Sequence, residues 1–465
     1  MIFCSVENMG RRSRMGSFRS LRFSAIILLA MFALMASAQE TAPDVRTVDS
    51  ITWDYYSNGR WEALIDEGTK AIHDGADYFY LRMRIGIAHY EMKNYRRAIP
   101  HFQKAMEFNP LDKSATEYLY LSYLLGGRPY DARPLIPEPG SAARERLNIS
   151  KTKLIEEVYI EGGPAFAGNT DLKNPRKGKH MGNNDTIYNG SYYYDNVFYG
   201  HAGIKFRLSP ALSIYQGYSY VEAPVTEEIR YRNEPVPDFD YTTKQHEYYG
   251  NLTINLPGKI LATPAFHMLW LEYALRRDVY DPETGGLAYD TGYENDQMYV
   301  ASLSLKKDIS LFAVEVSGTY GDFGRMVHQQ LSLAGYVYPL GNLDLYAKTG
   351  ITHMWNENEG RWIFHQLAGW SPVDNLWLEA SGTFGQLQDY AEQNAFIIYN
   401  SPEEINYKME ATVIVEVSST IELSLRYRFL ERVNRYLTYT SYEDFTFQYT
   451  NYPYHTLIGG IKWRF

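Results

Sequence analysis

From Thr420 to Phe429 the chain reads TIELSLRYRF, with apolar side chains at every second position. Ile421, Leu423, Leu425, Tyr427 and Phe429 share one face, and Thr420, Glu422, Ser424, Arg426 and Arg428 share the other. A period of two marks an extended strand with one dry face. Lys408–Val417 repeats it, with Met409, Ala411, Val413, Val415 and Val417 opposite Lys408, Glu410, Thr412 and Glu416. This pattern begins near Ile155 and runs to the end of the chain. Residues 53–125 instead show the 3.6-residue spacing of amphipathic helices. Between them, Gly126–Ser150 is rich in Pro, Gly and charge and reads as a linker.

Alternation alone also fits a soluble sandwich with one wet face. Connection lengths separate the two. Tight links recur at Leu208–Leu212, Leu256–Leu261, Lys306–Ile309, Tyr338–Asn342, Ser371–Asn375 and Val417–Thr420, all rich in turn-forming residues. Between them lie longer connections at Asn169–Gly190, Glu222–Thr243, Arg277–Asn295, Gln386–Ile405 and Glu431–Pro453, which read as surface loops. Two others, near Gly321–Arg325 and Asn356–Gly360, are short and predict a low rim on one side. Short turns at one end and longer loops at the other are the pattern of a barrel that crosses a membrane. Six tight hairpins, a first strand near Ile155–Phe166 and a last one at Tyr454–Phe465 give about fourteen strands. The fold class is therefore mainly β: a transmembrane antiparallel β-barrel, preceded by a small all-α domain.

Composition agrees. Tyr alone accounts for 42 of 465 residues and aromatics for 15%, and Tyr suits membrane interfaces. A mean hydropathy of −0.39 excludes a bundle of transmembrane helices but allows a barrel, whose strands turn half their residues inward. Arg11, Arg12, Arg14, Arg19 and Arg22 precede the apolar run Phe23–Ala36 and the small-residue site Ala36-Ser37-Ala38, the order of a secretory signal. Met15 would serve as well as Met1 for its start. The expected boundaries are a signal at 1–38, a tail at 39–52, helices at 53–125, a linker at 126–153 and the barrel at 154–465. The single cysteine, Cys4, falls within the signal, which removes disulfide and thiol chemistry from the exported chain. Residues 1–38 carry five Arg and one Glu, so their removal takes the net charge from −10 to −14. Such an acidic chain is unsuited to nucleic acid.

Phe79–Pro110 resembles one unit of the tetratricopeptide family. Ile85 and Gly86 occupy the tight helix-crossing positions, Tyr95, Ala98, Phe102 and Ala105 form the packing stripe, and Pro110 closes the unit. Trp61 stands 34 residues before Tyr95 in the matching place of a preceding half-unit, and Lys113–Tyr130 supplies a following one. Arg82 departs from the family, which has a large crossing residue there. At the other end, the closing strand finishes in Trp463-Arg464-Phe465 and resembles the C-terminal signature of bacterial outer-membrane proteins. That resemblance implies recognition of Trp463 and Phe465 by the barrel-insertion machinery, contact with lipid and lipopolysaccharide, a Gram-negative outer-membrane location and a periplasmic helical module. The domain order is similar to that of exopolysaccharide-export porins.

No phosphate-binding loop or hydrolase motif occurs in suitable context, and no cofactor is implied. Asp290-Thr291-Gly292 matches the aspartic-protease triplet but sits in a polar loop without a second copy. Asp278, Asp281, Glu283, Asp290, Glu294 and Asp296 offer oxygens for a hard cation at no known loop spacing, so a solvated acidic loop is the simpler reading. Lys173, Arg176, Lys177, Lys179 and His180 would grip phosphates or acidic glycans, or lie solvated. The Tyr-dense run Tyr188–Tyr199 reads as aromatic girdle and loop packing. Parity directs Lys205, Arg207, Glu315, Asp344, Lys348, Glu379, Glu410, Glu416, Glu422, Arg426, Arg428, Lys462 and Arg464 to the lumen, because a midplane Arg or Lys on the lipid side costs about 2–4 kcal/mol. The chain is then no enzyme. It is either a channel or export pore for polar solutes or saccharides with a docking module, or a non-conducting anchor that recruits a periplasmic or secretion partner.

Overall fold

The computed structural model describes residues 44–135, 153–168, 188–231, 234–235, 239–281, 286–324, 326–357, 359–439 and 444–465. The helical region comprises α1 (Val45–Ser57), α2 (Trp61–His73), α3 (Phe79–Glu91), α4 (Tyr95–Phe108), α5 (Lys113–Leu125) and the short α6 (Pro129–Ala132). Helix α1 begins eight residues before the helical period is evident in sequence, capped by Asp44, whose carboxylate accepts from the Arg46 amide at 3.2 Å. Gly86 is required by packing. A Cβ there would lie 2.6 Å from the Phe102 ring. Ala98, Phe102 and Ala105 are fully buried behind it. Tyr95 meets Tyr90 edge-on at 5.2 Å, and Trp61 meets Tyr56 at 6.0 Å. Pro110 ends the unit in the turn before α5. Arg82 pairs with Asp77 at 2.7 Å, so the departure from the family pattern is absorbed by an ion pair.

Two histidines make this region acid-sensitive. His89 and His101 lie ring to ring at 5.6 Å. Burial, helped by nearby Arg97, pushes His89 down to about 4. Burial holds His101 at about 3, with His89 and Arg82 acting in the same direction. The unfolded chain takes up these protons near pH 6.5 while the folded helices resist them, so stability falls as pH drops. Amide protection of α3 and α4 should be constant above about pH 6.5 and decline toward pH 4. Replacing His101 with Phe should flatten that slope; an unchanged slope would place its origin elsewhere.

Among the described residues fourteen strands form the ring: β1 (Ile155–Ala167), β2 (Val197–Ser209), β3 (Leu212–Tyr231), β4 (Phe239–Leu256), β5 (Ile260–Asp281), β6 (Gly286–Ile309), β7 (Phe312–Asp322), β8 (Val327–Val337), β9 (Leu345–Trp355), β10 (Gly360–Val373), β11 (Leu376–Phe384), β12 (Glu404–Glu416), β13 (Ile421–Tyr439) and β14 (Phe445–Arg464); a further strand, Tyr188–Tyr194, joins the extended ends of β3 and β13. Each strand of the ring pairs antiparallel with its neighbour in sequence, and β14 pairs with β1 from Glu157↔Arg464 to Ala167↔Tyr454, closing the ring. Closure leaves the ring itself without a free edge, which a lipid-embedded sheet requires.

The tight links fall at one end of the barrel, with one shift. Lys306–Ile309 continues β6, and the reversal comes at Ser310–Leu311, where Ser310 takes a φ of 51°. At the other end, Glu222–Thr243, Arg277–Asn295 and Glu431–Pro453 are largely strand rather than loop. The β5–β6 ladder runs on to Asp281↔Gly286, while β6 leaves β7 at Tyr299↔Asp322. Above a membrane both faces are wet, so the alternation fades although the hydrogen-bond ladder continues. The rim is low at β7–β10, as the short links there predict.

The outer face is apolar. Leu303, Leu305, Val314, Val316, Leu331, Leu333, Val413, Val415, Leu423 and Leu425 are exposed on it. Exposed rings border this band: Phe312, Trp370 and Trp463 near the tight turns, and Trp362, Phe364 and Tyr320 near the loop end. On β10, Trp362 and Trp370 are eight residues apart, about 26 Å along the strand and roughly 20 Å in height at the usual strand tilt, within a lipid-facing band of about 25 Å.

The helical module is fastened to the tight-turn end. The Arg96 amide donates to Gly341 O at 2.8 Å, and Arg96 Nη1 reaches Asp308 at 2.8 Å and Ser310 O at 3.2 Å. Its guanidinium lies 3.4 Å above the Tyr338 ring. Asn342 Nδ2 donates to Lys93 O at 3.2 Å, and Asn255 Nδ2 to Tyr130 O at 2.8 Å. Arg133, just past α6, enters the mouth to reach Ser213 Oγ at 2.8 Å and Glu156.

Candidate functional site: an occluded lumen

The segment between β11 and β12 is not a surface loop. Gln386–Glu403 turns inward and touches most of the inner wall. The turn begins at Gly385, whose φ of +125° suits only glycine. A Cβ there would also lie 2.7 Å from Trp362 O. Three consecutive left-handed residues, Gln393, Asn394 and Ala395, then reverse the strap. Ala391–Glu392 pairs with Ile397–Ile398 across this bend.

Wall residues hold the strap from several directions. Ser302 Oγ donates to Asn394 Oδ1 at 2.7 Å, and Asn394 Nδ2 donates to Thr263 O at 2.9 Å. His267 Nδ1 lies 2.8 Å from Ala395 O. Asn400 Nδ2 donates to Gln245 Oε1 at 2.7 Å. Arg361 Nη1 donates to Gln386 Oε1 at 3.1 Å, and Glu403 receives Arg432 at 3.4 Å together with the Tyr452 hydroxyl. Only a segment inside the ring can meet β4, β5, β6, β10, β13 and β14 at once. Apolar packing adds to this, with Leu387, Tyr390 and Tyr399 against Met354, Ile363, Leu430 and Tyr454.

One node joins strap and wall by charge. Lys408 Nζ lies 2.6 Å from Glu392 Oε2, with side-chain exposures of 1% and 6%. Tyr399 OH donates to the same oxygen at 2.9 Å, and Thr383 Oγ1 donates to Oε1 at 3.2 Å. His365 Nδ1 stands 3.5 Å from Oε1. A buried carboxylate is tolerated only with such a shell.

The inner wall carries a column of ion pairs. Nearest the tight turns, Arg464 meets Glu416 at 2.7 Å and also Glu422, which takes Lys462 at 2.8 Å. Further up, Arg426 meets Glu161 at 3.3 Å, and Arg428 meets Glu410 at 2.8 Å. Across the lumen, Lys348 stands 4.0 Å from Glu315, and Tyr346 donates to Glu379. Arg207 meets Glu156 at 3.0 Å, and Lys205 lies 5.5 Å from the Tyr130 ring of the module. Asp344 is displaced from the expected lumen position. It belongs to the turn before β9, accepts from Asn342 Nδ2 at 2.8 Å and borders the module. Trp463 and Phe465 stack at 5.5 Å, both exposed.

Sequence parity did not single out Glu161, Glu392, Glu403, Lys408 and Arg432 as site residues. Lys408 and Arg432 keep the inward parity of their strands, which is the signal that would have found them. Glu392 and Glu403 lie in a stretch with no period of two. Asp290 stands exposed in the β5–β6 ribbon, its carboxylate accepting from the next amide, of Thr291, at 2.9 Å. Tyr273 OH donates to Glu294 at 3.4 Å and to Asp296 at 3.2 Å. The side chains of Asp278 and Asp281, the residue Glu283 and the basic stretch Lys173, Arg176, Lys177, Lys179 and His180 lie outside the described residues. So do the side chains of Tyr188, Tyr192 and Tyr193. Among the described residues no group of three or more His, Cys, Asp or Glu is arranged to hold a metal ion.

The strap divides the lumen. A cavity of about 270 Å³ lies between it and the loop-side halves of β1–β4, β13 and β14. A smaller one of about 70 Å³ lies on its other side, between Glu392 and the wall at Glu315 and Lys348.

No protein-family model and no curated protein matches the chain. Among solved structures it is similar to a deletion mutant of the TodX monoaromatic hydrocarbon channel, at 9% identity over 70% of this chain and 94% of that one, with a TM-score of 0.42. It is also similar to the outer-membrane protein Omp33 of Acinetobacter baumannii, at 9% identity over 67% and 99%, with a TM-score of 0.30. The helical region is similar to MamA of AMB-1, at 17% identity over 28% and 74%, with a TM-score of 0.20.

Proposed function

We propose that this chain is an outer-membrane channel for small polar solutes, closed at rest by the Gln386–Glu403 strap and based on a periplasmic helical module that docks a partner. The observation that carries this reading is the strap itself. An anchor needs only its outer face, whereas this barrel maintains a charged inner wall, cavities on both sides of a removable segment and a charge latch holding that segment in place. Lumens closed by loops are a recognised design in membrane barrels. The rival reading, a sealed anchor that recruits a partner, is favoured by the fastening of the module across the tight-turn mouth.

Conductance in planar bilayers separates the two. The intact chain should show rare openings. Replacing residues 387–402 with a short Gly-Ser link should give steady conductance. A linked barrel that folds, as shown by heat-modifiable migration, yet stays electrically silent would establish the anchor instead.

A further inference from the structure

The tip of the strap is a strained bend held by the wall. Gln393, Asn394 and Ala395 take φ values of 52°, 59° and 63° in succession, a conformation disfavoured for residues that carry a Cβ and kept only under outside contacts. Ser302 and Thr263 hold the Asn394 side chain, and Tyr249 OH donates to Asn394 O at 3.3 Å. Phe396 packs edge-on against the His201 and Tyr249 rings, 5.1 Å from each. His267 completes the hold, with Nδ1 2.8 Å from Ala395 O.

The His267 contact fixes where a proton must lie. A carbonyl oxygen only accepts, so Nδ1 carries a hydrogen, and a neutral imidazole then has a bare lone pair at Nε2. That nitrogen is buried without a hydrogen-bond partner, yet Glu247 Oε2 stands 3.2 Å from it, and the two side chains are only 2% and 12% exposed. A lone pair beside a carboxylate repels. One added proton, on either group, makes the contact attractive. The other neighbours do not supply it. On β4, Gln245 donates to Glu247 and the Tyr249 ring meets His267 edge-on at 5.5 Å, and both are neutral. On β2, His201 is engaged by Ser219 Oγ at 2.9 Å and Tyr215 OH at 2.7 Å. On β6, Val300 lies opposite His267 in the ladder and is apolar. Two further histidines face strap carboxylates, His328 at Asp389 (3.4 Å) and His365 at Glu392 (3.5 Å). Each of those contacts uses one ring nitrogen, so a neutral ring can present its single N–H there.

We infer that Glu247 and His267 share one proton that holds the strap tip closed, and that its loss at alkaline pH frees the tip. The closed strap needs this proton, whereas with the strap withdrawn water solvates both groups and the requirement is gone. Closure is therefore complete in acid and weakens as pH rises through the imidazole range, about pH 5 to 8, by up to about tenfold per pH unit for one proton. Glu247 lines the larger cavity, on the loop side of the strap, so the pair is reached from that side and not from the helical module. The device regulates the proposed channel and rests on that reading only for the statement that a freed tip opens a path.

The test is hydrogen exchange on the full chain in detergent micelles from pH 6 to 8.5. Protection factors divide out the intrinsic acceleration by base, and β13–β14 serve as internal reference. Protection of peptides spanning Tyr390–Tyr399 should fall at least tenfold over this range while the reference stays constant. Glu247→Gln offers an amide N–H to the His267 Nε2 lone pair without a titrating proton. It should keep the tip protected at pH 8.5 and reduce the change to less than threefold. His267→Gln removes the other partner and should lose the slope too, with weaker protection throughout. Heat-modifiable migration shows which variants fold, and the parent profile decides by itself if neither does. A parent without slope overturns the inference, as does a folded Glu247→Gln or His267→Gln barrel that keeps the parent slope. Exchange reads release of the tip, whereas the conductance of the strap-replaced barrel reads the channel, so the two readings fail separately.

Discussion

Lys408→Met is expected to release the strap and raise conductance at least tenfold. Among the described residues the ammonium of Lys408 is the sole full positive charge within 3 Å of Glu392, and both side chains are nearly inaccessible. Removing it leaves a buried carboxylate with only hydroxyl donors and the His365 ring. An uncompensated charge of this kind costs about 3–5 kcal/mol, and the strap can avoid that penalty by carrying Glu392 out to water. The wall has no such escape, since each strand keeps both ladders. The second half of the prediction separates charge from packing. Lys408→Met combined with Glu392→Met should restore closure, because replacing both partners of a buried pair by apolar groups is often neutral or stabilising. Accessibility gives an independent measure. With Cys4 absent and Ser401→Cys introduced as a reporter, maleimide should label the Lys408→Met barrel quickly and the parent and double variant slowly. Equal labelling of all three would show that the latch does not hold the strap.

Arg96→Ala should detach the helical module from the barrel. Arg96 is on α4, yet its partners Asp308, Ser310 and Tyr338 are all barrel residues. Its side chain is fully inaccessible. Truncating one member of a buried, hydrogen-bonded charge pair at an interface costs about 2–5 kcal/mol, which multiplies the undocked population by roughly 30-fold to several thousandfold. The backbone bond from the Arg96 amide to Gly341 O survives the change, as do Arg133 and Asn255, so the module should loosen first at α4. Hydrogen exchange should therefore accelerate in α3–α4 and in the Tyr338–Asp344 turn, with β12–β14 unchanged. Exchange unaltered in α4 would mean that the contacts of Arg133 and Tyr130 suffice.

The barrel wall was legible because lipid and lumen impose opposite demands on alternate residues. Ile421 to Phe429 could be assigned to faces from sequence, and the ion pairs of Arg426, Arg428, Lys462 and Arg464 followed from the inward parity. Trp61, Tyr95, Ala98 and Phe102 were legible because helix crossings need those sizes at fixed intervals. The strap was not. Gln386–Glu403 is dense in Gln, Asn, Asp and Tyr, which reads as a wet loop. What makes it an interior segment is the set of wall partners, Thr263, His267, Ser302, Gln245 and Lys408, spread over more than 160 residues of sequence. Its length alone was a warning, because connections beyond about 12–15 residues without their own structure tend to be functional. The long ribbons failed for the converse reason: hydrogen bonding continues where the face pattern has ended.

The strap leaves the wall at Gly385 and rejoins it at Glu404, the upper ends of two adjacent strands. It is a flap hinged along a single side, not a stopper threaded from a chain terminus. No end of the polypeptide has to pass through the pore for it to swing clear, and nothing has to unfold beyond its own contacts. Both hinges face away from the helices, so pulling from beneath has no lever on it. In the proposed channel, the cue for opening would therefore act at the end of the barrel opposite the helices, where a solute could itself supply it.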